Sequence, residues 1–143
     1  MISKEVTYVD FNGMERKETF WFNLTNEEMV AMEYAKDGSL TDKLKNLTKS
    51  VDSYAVIEFL KKLVLDSYGV KSPDGRQFIK SEEVKNAFKW SKAYSDIFME
   101  LGRDAKAAAA FVEGIMADVK KVGVAYVDDQ QMQQAQNGMS IVK

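Results

Sequence analysis

Neither cysteine nor histidine occurs in this 143-residue chain, and there is a single proline. Without cysteine there are no disulfides, no thiolate chemistry and no cysteine-based metal sites. Without histidine the chain also lacks the usual general base near neutral pH and the commonest metal ligand. Triads, dyads and nearly every zinc or iron site fall away together, leaving carboxylate, lysine or tyrosine chemistry as the remaining catalytic routes. No apolar run approaches the roughly 18 residues of a membrane span, and the N-terminal MISKEVTYVD has no apolar core of a secretion signal. These absences predict a protein that stays in the cytosol, contacts no membrane, holds no metal or cofactor and is not an enzyme.

A one-sided charge is missing too. Twenty basic and 22 acidic residues are interspersed to a net charge of −2, so no basic stripe exists for a phosphate backbone, and nucleic acid is disfavoured as a partner. What is present is the material of a core. Apolar residues make up 45% of the chain, with eight Phe, six Tyr and two Trp among them, enough for one compact domain at this length.

Glu5–Val9 and Glu18–Phe22 flank an Asn12-Gly13 turn signal and read as a β-hairpin. Alternation puts Phe20, Phe22 and Leu24 on one face and Trp21 on the other. A two-residue turn at Asn12-Gly13 would place Val6 and Tyr8 on the Trp21 face, leaving both faces of the hairpin apolar. Thr25 and Glu28 form a capping box for a helix carrying Met29, Val30, Met32 and Tyr34. A second helix is expected over 39–49. A third, capped by Asp52 or Ser53, runs to Tyr68 and stops at Gly69. Its apolar residues cover more than half its circumference, which predicts a central helix contacted on several sides. Residues 70–80 read as a connection built on a Ser72-Pro73-Asp74-Gly75 turn.

Ser81 is expected to cap one long helix to Gly102, with Val84, Ala87, Phe88, Ser91, Tyr94, Phe98 and Leu101 facing inward. Trp90 and Ile97 fall on its shoulder. Asp104 caps a last helix to Val119, whose alanines at 107–110 permit close approach. The expected fold is mainly α (α+β): an N-terminal β-hairpin followed by about five helices in one compact bundle over residues 1–121. A polar, Gln-rich and flexible tail follows over 122–143.

The chemical motifs have ordinary structural readings. Glu27/Glu28 and Glu82/Glu83 follow capping residues where the helix dipole favours acids. Asp74-Gly75 is a plain turn, and the series Lys80, Lys85, Lys89 and Lys92 reads as a solvated helix face. The aromatic set is the exception. Trp21 and Trp90 lie off the buried face of their own elements, and Trp and Tyr are the anchors that interfaces prefer. Tyr8, Trp21, Trp90, Tyr94 and Ile97 are therefore the candidate partner-binding residues.

The stretch FKWSKAYSDIFMELGRDAKAAAAFVEGIM, residues 88–116, together with SYGVKSPDGRQFIKS at 67–81, resembles the tail assembly chaperones of long-tailed bacteriophages. The resemblance spans roughly residues 18–118 and lies in packing motifs, AYSDIFMEL (93–101) and AAAAFVEGIM (107–116), rather than in chemical signatures. It implies a mainly helical, non-catalytic protein of the host cytoplasm that binds the tape measure protein and assists tail tube assembly through apolar contacts. It names the tail tube protein as a second partner, leaves a homo-oligomer open and supplies no site residues by position. The alternative reading is a structural virion protein, such as a neck, connector or tail-tube-associated subunit.

Overall fold

The computed structural model describes residues 1–34, 40–49 and 53–117. The expected tail at 122–143 and the end of the last helix at Val119 lie outside the described residues. The chain opens with two antiparallel strands, β1 (Ile2–Val9) and β2 (Glu15–Phe22), in agreement with the hairpin expected there.

The turn between them corrects the facing of the hairpin. Asp10 N–H donates to the Met14 carbonyl at 2.8 Å, and the Asp10 carboxylate accepts the backbone N–H groups of Asn12 and Met14, each at 2.9 Å. Phe11, Asn12 and Gly13 are thus looped out, with Gly13 at φ +81°, a conformation glycine adopts without strain. A loop of three residues shifts the register by one from that of a two-residue turn, and one step of register exchanges the faces of a strand. Tyr8 stands opposite Arg16, Val6 opposite Glu18 and Ile2 opposite Phe22. Val6 and Tyr8 therefore share the inner face with Phe20 and Phe22, not the Trp21 face. The outer face is left to Ser3, Glu5, Thr7, Val9, Glu15, Lys17, Thr19 and Trp21, and is mostly polar.

The sheet has four strands in the order β1-β2-β3-β4, where a lone hairpin was expected. The connection at residues 70–80 supplies the other two. β3 (Tyr68–Lys71) pairs with β2 through Trp21–Gly69 and Phe22–Tyr68, and β4 (Phe78–Ile79) pairs back on β3. Strands of four and two residues are too short to show alternation. Gly69 is accordingly no helix-terminating glycine but a buried strand residue. A β-carbon on it would lie 2.7 Å from the Phe78 ring, so its missing side chain is what lets that ring close over the strand.

Six helices follow the order of the chain among the described residues: α1 (Asn26–Glu33), α2 (Leu40–Lys49), α3 (Tyr54–Ser67), α4 (Glu82–Lys89), α5 (Lys92–Arg103) and α6 (Ala105–Ile115). The capping box at Thr25 and Glu28 forms as expected, and Ser53 and Ser81 cap α3 and α4. α3 packs against α2, α4 and α5, in keeping with its broad apolar surface. The single long helix expected from Ser81 is instead two. The Ser91 hydroxyl accepts the Tyr94 N–H at 3.2 Å as an N-cap and also donates to the Phe88 carbonyl at 2.7 Å. Serine competes well for such backbone groups, and here it ends one helix and starts the next.

The break re-aims α5. Its buried residues are Ala93, Ile97 and Leu101, a run of every fourth residue. Gly102 does not close α5, which continues to Arg103, and Asp104 accepts the Lys106 N–H to cap α6.

α4, α5 and α6 lie against the sheet, and the inner face of the sheet meets them in an aromatic cluster. The Phe22 ring centre lies 5.2 Å from Phe111, 5.8 Å from Tyr68 and 5.9 Å from Phe88. Tyr68 stacks on Phe88 at 4.2 Å. Beyond β2 the backbone is tied down on both sides, Asn23 N–H donating to the Ser67 carbonyl at 2.8 Å and Leu24 N–H to the Ile115 carbonyl at 2.9 Å.

Candidate partner surfaces

The five candidate residues do not converge. Ile97 is fully buried, because the helix break turns it from the shoulder into the core, and this corrects its assignment to a partner surface. Tyr94 is half-buried and packs edge-on to Phe88 at 5.4 Å, with its hydroxyl lacking a hydrogen-bond partner among the described residues. Burial, with a smaller contribution from the Glu58 charge, pushes its pKa up. Tyr8, inside the sheet rather than outside it, donates to a Glu18 carboxylate oxygen at 2.6 Å. That hydrogen bond, then burial, raises its pKa to about 12. Tyr8 and Tyr94 are thus partly buried against the core.

Trp21 and Trp90 do face outward. Trp21 lies on the outer sheet face beneath the Lys71 ammonium, 3.6 Å from its ring centre, a cation–π contact that partly covers it. Trp90 sits at the α4–α5 break and is 69% exposed. Beside it comes a surface that the sequence reading passed over. Phe11 and Met14, in and beside the hairpin loop, are 78% and 61% exposed. Lys92, two residues beyond Trp90, brings its Nζ to 5.9 Å from the Phe11 ring centre, so the hairpin tip lies next to the start of α5. The available signal was two large apolar side chains flanking Asn12-Gly13, positions where turns are ordinarily polar. Tyr34 and Tyr54 add further exposed rings elsewhere.

The charged residues tell a different story. Glu28 and Asp66 line an open cleft of about 290 Å³ between α1, α3 and α4, with Lys62, Lys80 and Lys85. Lys80 reaches both Glu28 carboxylate oxygens, at 2.7 and 2.8 Å, and the Asn23 carbonyl at 2.7 Å. Asp66 accepts from Lys62 at 2.7 Å and from Lys85 at 3.1 Å. Burial alone would raise the Asp66 carboxyl, but the two lysines outweigh it and hold it below the usual range. A carboxylate so held is the reverse of a general acid, which must stay protonated near neutral pH. Lys80 and Lys85 are thus structural ion-pair partners rather than a free solvated strip, whereas Lys89 and Lys92 remain at the surface. Among the described residues no cluster of three or more acidic side chains is placed to hold a metal ion, and no helix is long and apolar enough to cross a membrane.

Neither a curated protein nor a solved structure matches the chain. A family model does, described as phage tail assembly chaperone, and it covers residues 1–140. A match over nearly the whole length, on a chain whose exposed rings suit protein contacts better than chemistry, makes this protein a member of the phage tail assembly chaperone family.

Proposed function

We propose that the protein binds the tape measure protein of its phage in the host cytoplasm and assists tail tube assembly through apolar contacts. Membership of the chaperone family carries the general role. The support for apolar contact is the set of large side chains left in water: Phe11, Met14, Tyr34, Tyr54 and Trp90 are all well exposed. Scattered single apolar residues are normal on a protein surface, but Trp, Tyr and Phe anchors at such exposure are the common currency of interfaces. Trp21 and Trp90 remain the candidates among the residues singled out from sequence, with the tail tube protein as a second partner and self-association as a further property.

Co-expression with the tape measure protein tests the reading. A co-purifying complex and a larger soluble fraction of the client are expected, and the absence of both overturns it. One observation favours the alternative of a structural virion subunit. β1 is an edge strand with no strand on its outer side among the described residues, and such an edge can accept a strand from a neighbour. Mass spectrometry of purified virions separates the two, since a chaperone is absent from them and a structural subunit is present in fixed copy number.

A further inference from the structure

We infer that the end of the molecule carrying Phe11 and Trp90 takes an apolar peptide segment flanked by carboxylates. Two exposed rings provide the apolar part of the surface, Phe11 at the hairpin tip and Trp90 at the α4–α5 break, and Lys92, two residues beyond Trp90, reaches toward the Phe11 ring. Each ring carries a lysine: Lys89 Nζ lies 5.1 Å from the Trp90 ring centre and Lys92 Nζ 5.9 Å from that of Phe11. What separates these two lysines from most others is the lack of a carboxylate partner. Lys4, Lys17, Lys61, Lys62, Lys80 and Lys85 each reach an acidic side chain, whereas no carboxylate among the described residues reaches Lys89 or Lys92. The first turn of α5 contains no acid, although α1 and α4 each have two there. An apolar surface rimmed by unneutralised cations is complementary to an apolar stripe with acids beside it, and a basic segment would be repelled.

The biological identity of that segment rests on the client-binding reading, but its chemistry can be tested without the client. The full chain carrying Trp21→Phe keeps Trp90 as its single tryptophan and so reports on this surface. It is titrated with two synthetic helical peptides of about 20 residues, identical in their Leu/Ala stripe and flanked either by Glu or by Lys. The Glu-flanked peptide is expected to shift Trp90 emission and to bind about tenfold more tightly than its Lys-flanked twin. Lys89→Glu with Lys92→Glu should invert that order, and Phe11→Ser should weaken both peptides. All three positions are exposed, so an unchanged circular dichroism spectrum is expected to accompany each substitution. Equal affinity for the two peptides, or a Glu preference that survives the double charge reversal, overturns the inference. If the double reversal leaves capture of the tape measure protein intact and the peptides are not distinguished, the surface is wrong and the client reading stands. If the Glu-flanked peptide binds as described but the tape measure protein is not captured, the client reading fails and the surface stands.

Discussion

Tyr94 shows how the same residue type serves two ends. Tyrosine is favoured at interfaces because one end is apolar and the other polar, which is why its position on α5 suggested a partner contact. In the fold its ring packs on Phe88 while its hydroxyl is buried with no hydrogen-bond partner among the described residues. A buried hydroxyl without a partner carries a desolvation cost of roughly 1–3 kcal/mol, so removing it should not harm the protein. Tyr94→Phe is expected to leave stability unchanged or to raise it by up to about 1 kcal/mol, measured by urea denaturation. A loss of more than that would mean the hydroxyl is satisfied in solution. Trp90 is the opposite case, an aromatic whose position off the buried stripe was read from spacing and whose exposure follows from its place at a helix end.

At the scale of elements, two short polar interactions redirect large apolar surfaces. Asp10 draws in the N–H groups of Asn12 and Met14, lengthens the hairpin loop by one residue and thereby moves Val6 and Tyr8 to the inner face, against the core. Ser91 ends α4, starts α5 and turns Ile97 inward. The second device makes a clear prediction. Alanine is the better residue inside a helix, so Ser91→Ala in a continuous helix would be neutral or mildly stabilising. At an N-cap the same change should cost about 1 kcal/mol, lowering the thermal midpoint by several degrees in a domain of this size. Differential scanning calorimetry decides it, and a midpoint that is unchanged or higher would argue for the continuous helix.

For the whole molecule, the ion pairs around Asp66 and Glu28 join helices at the open cleft. Lys85 ties α4 to α3 through Asp66, and Lys80 ties the start of α4 to α1 through Glu28. Because the Asp66 carboxyl titrates lower in the folded chain than in the unfolded one, the folded state binds fewer protons in acid. Its contribution is therefore complete above about pH 4 and is lost as the pH falls through the folded value. Asp66→Asn should cost on the order of 1 kcal/mol at neutral pH and make stability less sensitive to acid. Urea melts at several pH values would show this, and an acid limb identical to that of the wild type would refute it.

Local chemistry was legible in the chain without a structure. The capping box at Thr25, the caps at Ser81 and Asp104, the turn at Ser72–Gly75 and the inward pair Phe20 and Phe22 each depend on neighbours within a few residues. Resemblance in two packing motifs likewise pointed to the family. Only the tertiary structure decided the register of β1 on β2, the recruitment of residues 68–71 and 78–79 into the sheet, and the meeting of Phe11 with Lys92. Those outcomes join residues far apart in the chain or turn on a single step of register. Intrinsic propensities differ by less than about 1 kcal/mol there, whereas burying one aromatic ring contributes about 2 kcal/mol or more, so packing decides.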